Sequence, residues 1–264
     1  MEIKQSNHFL SLIVPVYKQE KTIVRNLKHV KYVLDNVRYD FEIIAVVDGI
    51  MDKSLKNIKK ANIPKVTTLA YMKNQGKSYA IRLGMTKAKG DYVMFLDSGM
   101  EIDPNGISML LEHMEWYSAD IIVGSKRHLA SRVNYPIVRK ILSYGYYYLV
   151  KLLFGIKVRD TQAGIKVFRK KALEKILPRL MEKKFAGDLE ILVAADTLGF
   201  DRIYEAPIKM DYSISPFTSS ANLKAIWGIL VDTLAIYYRK NIVSHYRKTG
   251  KKLVKPKGLR VLRT

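Results

Sequence analysis

The chain has 264 residues, 48% of them hydrophobic, and no cysteine. It can bury a sizeable core, but disulfides and thiolate metal sites are excluded. Its formal net charge of +22 implies an anionic partner: nucleic acid, a membrane surface or phosphorylated substrates.

The first 17 residues read as a tail and a first strand rather than a signal peptide, because no small-residue cleavage pattern follows the apolar stretch. Residues 9–16 are a buried strand. Residues 18–36 are helical, with Ile23, Leu27, Val30 and Leu34 at helical spacing. A second strand, 41–47, ends on Asp48-Gly49. A short helix (52–61), a third strand (66–71) and a helix (77–88) after Gln75-Gly76 follow. Strand 92–96, helix 107–117 and strand 121–124 complete the series. This alternation argues an α/β fold: a largely parallel sheet with helices on both faces.

Beyond Gly124 the pattern changes. A basic loop (125–139) leads to a tyrosine-rich helix, and Asp160-Thr161-Gln162-Ala163-Gly164 precedes a strand-like 165–168. Helices start near 171 and 188, a further strand lies within 200–208, and a long apolar helix covers 223–239 before a basic tail. Residues 121–159 hold eight Lys/Arg and no acid; residues 239–264 hold ten and again no acid. Segments 141–156 and 226–238 are shorter than the roughly 20 apolar residues a membrane span needs, and each carries a charge. They read as core helices or as helices lying in a membrane interface. There Tyr146, Tyr147, Tyr148, Trp227, Tyr237 and Tyr238 would suit the headgroup level. No RRM, KH, zinc-finger or helix-turn-helix pattern supports a nucleic-acid partner, and the basic blocks adjoin apolar helices, as at an anionic lipid surface.

The most informative stretch is DYVMFLDSGMEIDP, residues 91–104. An apolar strand ends abruptly on Asp97, with Ser98, Gly99, Glu101 and Asp103 after it. Carboxylates at the C-terminal edge of a buried strand suit a ligand crevice, and hard oxygen ligands suit Mg²⁺ or Mn²⁺ on a diphosphate. The same stretch also reads as a polar loop with a helix cap. Glu20 and Asp48 stand at the corresponding edges of the first and second strands. In an open parallel sheet these edges lie side by side, so the three acids converge.

Seven segments in order now carry a resemblance: VPVYKQE (14–20), EIIAVVDG (42–49), NQGKSYAIRLG (74–84), DYVMFLDSG (91–99), VGSKR (123–127), YPIVRKILS (135–143) and DTQAGIKVFRK (160–170). From about residue 10 to 211 the chain resembles family 2 glycosyltransferases of the GT-A fold, and among them the polyprenyl-phosphate (dolichol-phosphate) mannosyl- and glucosyltransferases. The resemblance implies a GT-A domain over 1–220, and the apolar and basic pattern reads 221–264 as a C-terminal amphipathic helix and basic membrane-proximal tail. It implies inverting transfer of a hexose from a GDP- or UDP-sugar to a polyprenyl phosphate, at the cytoplasmic face of the membrane, by a peripheral enzyme. A saccharide acceptor is the alternative.

The resemblance further implies that the donor lies near Pro15, Tyr17, Glu20, Asp48, Lys77, Asp97, Ser98 and Gln162. The usual Asp-x-Asp appears as Asp97-Ser98-Gly99, without its second acid. The metal is therefore expected on Asp97 and Glu101, as Mg²⁺ or Mn²⁺. Asp160 and Asp188 are expected to face the sugar and acceptor, and Asp188 reads equally as a helix N-cap. Lys126, Arg127, Arg132 and Arg139 are expected to bind the acceptor phosphate.

Overall fold

Strand β1 (Phe9–Val16) is buried at all but its first residue, because both faces of the sheet around it are covered. A strand of that kind is a continuous apolar run rather than an alternating one. Side-chain alternation divides the run between two cores. Leu10, Leu12, Val14 and Val16 pack on one face with α1 (Ile23–Asp35), α2 (Ser54–Ala61) and α4 (Ile107–Trp116). On the other face, Ile13 packs in a core shared by α3 (Lys77–Met85), α6 (Lys170–Ile176) and α7 (Gly187–Thr197). The computed structural model describes residues 6–134, 137–184, 186–211 and 223–248; within these, the side chains of residues 138, 139 and 223–225 fall outside the description.

The remaining strands are β2 (Asp40–Asp48), β3 (Val66–Tyr71), β4 (Tyr92–Leu96), β5 (Ile121–Ser125), β6 (Arg132–Asn134), β7 (Ile165–Arg169), β8 (Ile203–Pro207) and β9 (Lys209–Asp211). The seven-stranded sheet runs β3-β2-β1-β4-β7-β5-β8, and β6 pairs with β9 in a small second sheet. The β1–β2, β1–β4, β2–β3 and β5–β8 pairings are parallel. Strand β7 is antiparallel to both β4 and β5.

The α/β class and the covered parallel sheet are as expected from the sequence. The neighbours of β5 are not: it does not continue the parallel series beside β4, because β7 lies between them. The cause is where the chain re-enters. β7 begins at the edge where β4 and β5 end, with Asp97 N–H donating to the Gly164 carbonyl at 2.9 Å, so it can only run back down the sheet. The short strand β6 lies inside the segment read as a basic loop, and β9 just beyond the strand expected within 200–208. Three residues in an exposed two-stranded pair leave too little pattern to detect.

Helix α5 (Ile137–Phe154) and helix α8 (Leu223–Asn241) pair beside this second core. Tyr146 Oη lies 3.0 Å from Thr233 Oγ1, and the Phe154 and Tyr237 rings meet edge-on at 6.1 Å. Each helix leaves an apolar stripe exposed. On α5 it is Ile137, Ile141, Tyr144, Tyr148 and Leu152; on α8 it is Trp227, Val231, Leu234 and Tyr238, continued by Ile242 in the turn that follows. Both stripes have the same spacing, so each is one helix face. Among the described residues no helix is long and apolar enough to cross a membrane. The C-terminal segment is tied into the fold beyond α8: Tyr246 is fully buried and donates to Glu190 at 2.9 Å. The expected boundary at 220 thus separates residues that share one core. The basic tail from 249 onward lies outside the described residues.

Candidate active site

The C-terminal edges of β1, β2, β4 and β5, the start of β7 and the first turns of α3 and α7 bound one region. Asp48, at the end of β2, is buried and accepts from Tyr71 Oη (2.7 Å), Asn74 Nδ2 (2.9 Å), Gln75 N (2.7 Å) and Gly76 N (3.0 Å). Burial first, and the Asp48 charge after it, push the Tyr71 hydroxyl far above its ordinary value. Asp48, expected near the donor, thus also fixes the 74–76 turn. Gly76 has φ +102°, and a Cβ there would stand 2.3 Å from the Lys183 carbonyl oxygen. Only glycine fits this turn, which delivers Lys77 at the head of α3.

Lys77 Nζ lies 2.9 Å from the Asp97 carboxylate and 3.3 Å from Asp188. Asp188 also receives Lys166 Nζ at 2.8 Å, and Lys166 donates to the Ala163 carbonyl at 2.8 Å. Two acids and two lysines therefore form one chain of alternating charge. Burial opposes ionisation of Asp188, but Lys166 and then Lys77 outweigh it and hold the carboxyl below its usual range. Burial presses the Lys166 ammonium below its ordinary value, with Asp188 acting against it. The N-cap reading of Asp188 fails: Ala186 is the cap residue of α7, and Asp188 sits in the first turn.

A second ion cluster lies at the end of β5. Asp160 is 1% exposed and accepts from Lys126 N at 2.8 Å and Lys126 Nζ at 3.0 Å, with Arg127 at 3.7 Å. Burial works against the Asp160 charge, but Lys126 above all keeps its carboxyl below the usual range. Arg127 donates to the Arg159 carbonyl (3.0 Å) and to the carbonyl and hydroxyl of Ser143 (2.5 and 2.6 Å). Its guanidinium also sits over the Tyr144 and Tyr147 rings. The basic loop is thereby stapled to α5. Gln162 Nε2 reaches Tyr146 Oη at 3.4 Å, so the segment expected to face the sugar touches the α5–α8 seam. Arg132 is exposed on β6. The Arg139 side chain, expected at the acceptor phosphate, lies outside the described residues.

Tyr17 is 44% exposed beside buried Pro15. Glu20 accepts from Lys53 N at 3.0 Å. The Ser98 carbonyl accepts from the buried Asn26 Nδ2 at 2.8 Å, a support the sequence did not reveal. Glu101 lines a cavity of about 480 Å³ with Arg25, His29, Asp103 and Lys209; Asp97 does not line it. Among the described residues no three acidic or imidazole groups are clustered to hold a metal. Asp97 itself has a buried carboxylate oxygen without a hydrogen-bond partner. That oxygen fits a divalent cation taking its other ligands from a diphosphate and water. Lys166 was also missed as a site residue. Its signal was a lysine inside the apolar run IKVF.

The sequence model of the family described as glycosyl transferase family 2 matches residues 11–177. A dolichyl-phosphate beta-glucosyltransferase of Drosophila melanogaster is 31% identical over 205 residues, covering 72% of this chain and 63% of that protein. The chain thus spans less than two thirds of that relative's length. A protein of the same name from Dictyostelium discoideum is 28% identical over 236 residues, covering 82% and 72%. Among solved structures, glucosyl-3-phosphoglycerate synthase of Mycobacterium tuberculosis, in complex with Mn²⁺, UDP and glucosyl-3-phosphoglycerate, superposes with a TM-score of 0.64 at 16% identity, covering 88% and 80%. That likeness establishes the fold. With its mostly parallel sheet and matched segments, this chain belongs to glycosyl transferase family 2 and has the GT-A fold.

Proposed function

We propose that the protein transfers a hexose, with glucose favoured by the names of its relatives, from a nucleotide diphosphate sugar to a polyprenyl phosphate at a membrane surface. One observation carries the acceptor half of this reading. The Lys126–Arg127–Asp160 cluster is joined through Ser143, Tyr144 and Tyr147 to α5, whose outer face is an apolar stripe. A cationic loop beside a surface that suits acyl chains fits a phosphate carried on a lipid. The +22 charge supports an anionic leaflet as the docking surface, on the cytoplasmic side in this reading.

The chemistry follows from charge states. A phosphate oxygen attacks the anomeric carbon as the bond to the nucleotide diphosphate breaks, a single displacement that inverts the centre. The attacking oxygen is already anionic, so no general base is required. That agrees with Asp160 and Asp188, both held ionised in ion pairs, as positioning groups rather than proton carriers. Asp160 orients Lys126 and Arg127 toward the acceptor phosphate, with Arg132 and Arg139 as further candidates. Tyr17 and Pro15 offer a base platform, with Glu20, Ser98 and Gln162 in the surrounding wall. A divalent ion held on Asp97, Mg²⁺ or Mn²⁺, would supply charge stabilisation for the leaving diphosphate.

Incubation with UDP-glucose or GDP-mannose and a short polyprenyl phosphate tests the reading, with product measured in the organic phase. Glucosyl transfer to the polyprenyl phosphate is expected. Equal use of an unphosphorylated saccharide acceptor would sink the lipid-carrier assignment.

A further inference from the structure

Resting on this donor-site reading, a finer property follows from the mobility of the four groups in the Asp97–Lys77–Asp188–Lys166 chain. Two are fixed. Lys166 has no exposed surface and is held at both Asp188 and Ala163. Asp188 is buried in the first turn of α7. Asp97 and Lys77 form the open end: the Asp97 backbone is held by its N–H donating to the Gly164 carbonyl, but its side chain is 40% exposed, and that of Lys77 is 32% exposed, on a flexible four-carbon stem. Asp188 also does not depend on Lys77, since Lys166 already balances that charge at 2.8 Å.

A divalent cation cannot settle easily on Asp97 while an ammonium stands 2.9 Å from the same carboxylate, because the two cations compete for one acceptor and repel each other. A nucleotide diphosphate brings the negative charge that can draw Lys77 away. We propose that Lys77 is the resident counter-ion of Asp97, exchanged for the divalent cation only when the diphosphate enters. The free protein then stays metal-poor, and metal and nucleotide bind cooperatively. By linkage each raises the other's affinity by the same factor, on the order of 10- to 100-fold.

The test is Mn²⁺ binding to the full chain, read by the EPR signal of the free aquo ion, with and without UDP and then GDP. Wild type should bind Mn²⁺ weakly alone and at least about tenfold more tightly with the nucleotide. Lys77→Met should bind Mn²⁺ alone about tenfold more tightly than wild type, lose most of the coupling and bind the nucleotide less well. Lys77→Arg should keep the wild-type pattern. If Lys77→Met gains no Mn²⁺ affinity while nucleotide still recruits the ion, the exchange is wrong and the donor-site reading stands. If no variant binds Mn²⁺ even with UDP or GDP, the metal reading fails and takes the exchange with it. Equal Mn²⁺ affinity of wild type with and without nucleotide overturns the exchange whatever the variants do, so the test survives a variant that does not fold.

Discussion

Lys166 is a charged side chain with no exposed surface, and it is tolerable only because Asp188 and the Ala163 carbonyl meet its ammonium. Removing one partner of such a pair leaves a buried, uncompensated charge. Lys166→Met should therefore destabilise the fold by about 3–5 kcal/mol in denaturant unfolding, less whatever Lys77 recovers by staying on Asp188. The double variant Lys166→Met/Asp188→Leu should regain much of the loss, and additivity of the two single losses would show the residues to be uncoupled. Asp160 gives a pH signature. Its folded-state carboxyl is held below the ordinary 3.8, so its stabilising contribution is present above that value and lost as pH falls through the folded value. Asp160→Asn leaves Lys126 and Arg127 unbalanced and should cost about 3–5 kcal/mol at pH 7. The gap to wild type should narrow below about pH 4. Urea unfolding at a series of pH values checks this; a gap independent of pH would mean that Asp160 is protonated in the fold. Glu190 has the opposite sign. Burial raises its carboxyl above 4.5, so its contribution is complete below that pH and declines as pH rises through the folded value.

At the scale of elements, β7 and the helix pair do most to shape the site. Just beyond the β4–β7 pairing, a side chain on Gly164 would meet the Asp97 carboxylate. Gly164→Ala should cost about 1–3 kcal/mol by overpacking and should weaken nucleotide binding beyond what the lost stability explains. Thermal melts beside nucleotide titration separate the two effects, and normal nucleotide affinity would show that Asp97 has room to move. The stripes on α5 and α8 make a separate claim. Tyr148 and Leu234 are more than half exposed, so Tyr148→Asp/Leu234→Asp should change stability by only about 0.5 kcal/mol per site. Flotation with lipid vesicles should nevertheless fall sharply. Unchanged flotation would remove these helices from the membrane contact.

For the whole molecule, a truncation must separate the packing of the C-terminal segment up to Lys248 from the membrane contact proposed for the basic tail. Arg179 Nε donates to the Tyr246 carbonyl at 2.9 Å, and the buried Tyr246 hydroxyl donates to Glu190. A cut before Tyr246 should therefore destabilise the fold, whereas a cut after Lys248 removes only residues 249–264, with six Lys/Arg. Each cation is worth up to about 1 kcal/mol near an anionic leaflet, less at higher salt. The shorter deletion should leave the melting temperature unchanged and weaken binding to anionic vesicles in a salt-dependent way. Equal loss on neutral vesicles would mean that the tail acts through apolar contact instead.

The sequence alone determined what depends on local pattern. The apolar runs of β1, β2 and β4, the helical spacing in α1 and the acids at strand ends follow from periodicities of two and 3.6, which any neighbourhood must respect. The α/β class and the position of Asp97 at the C-terminal end of β4 followed from these. What tertiary structure decided is pairing between distant segments. The insertion of β7 between β4 and β5 is set by where the chain re-enters the sheet, and no periodicity records that. Asp48 and Asp97 look alike in sequence, each closing an apolar strand. The fold gives Asp48 four protein donors, whereas the Asp97 carboxylate faces the Lys77 ammonium at 2.9 Å. Lys77, Lys126 and Lys166 were all visible as cations. Which carboxylate each one balances depends on side chains 20 to 111 positions away in the chain, because charge pairing is fixed by distance in space rather than along the sequence.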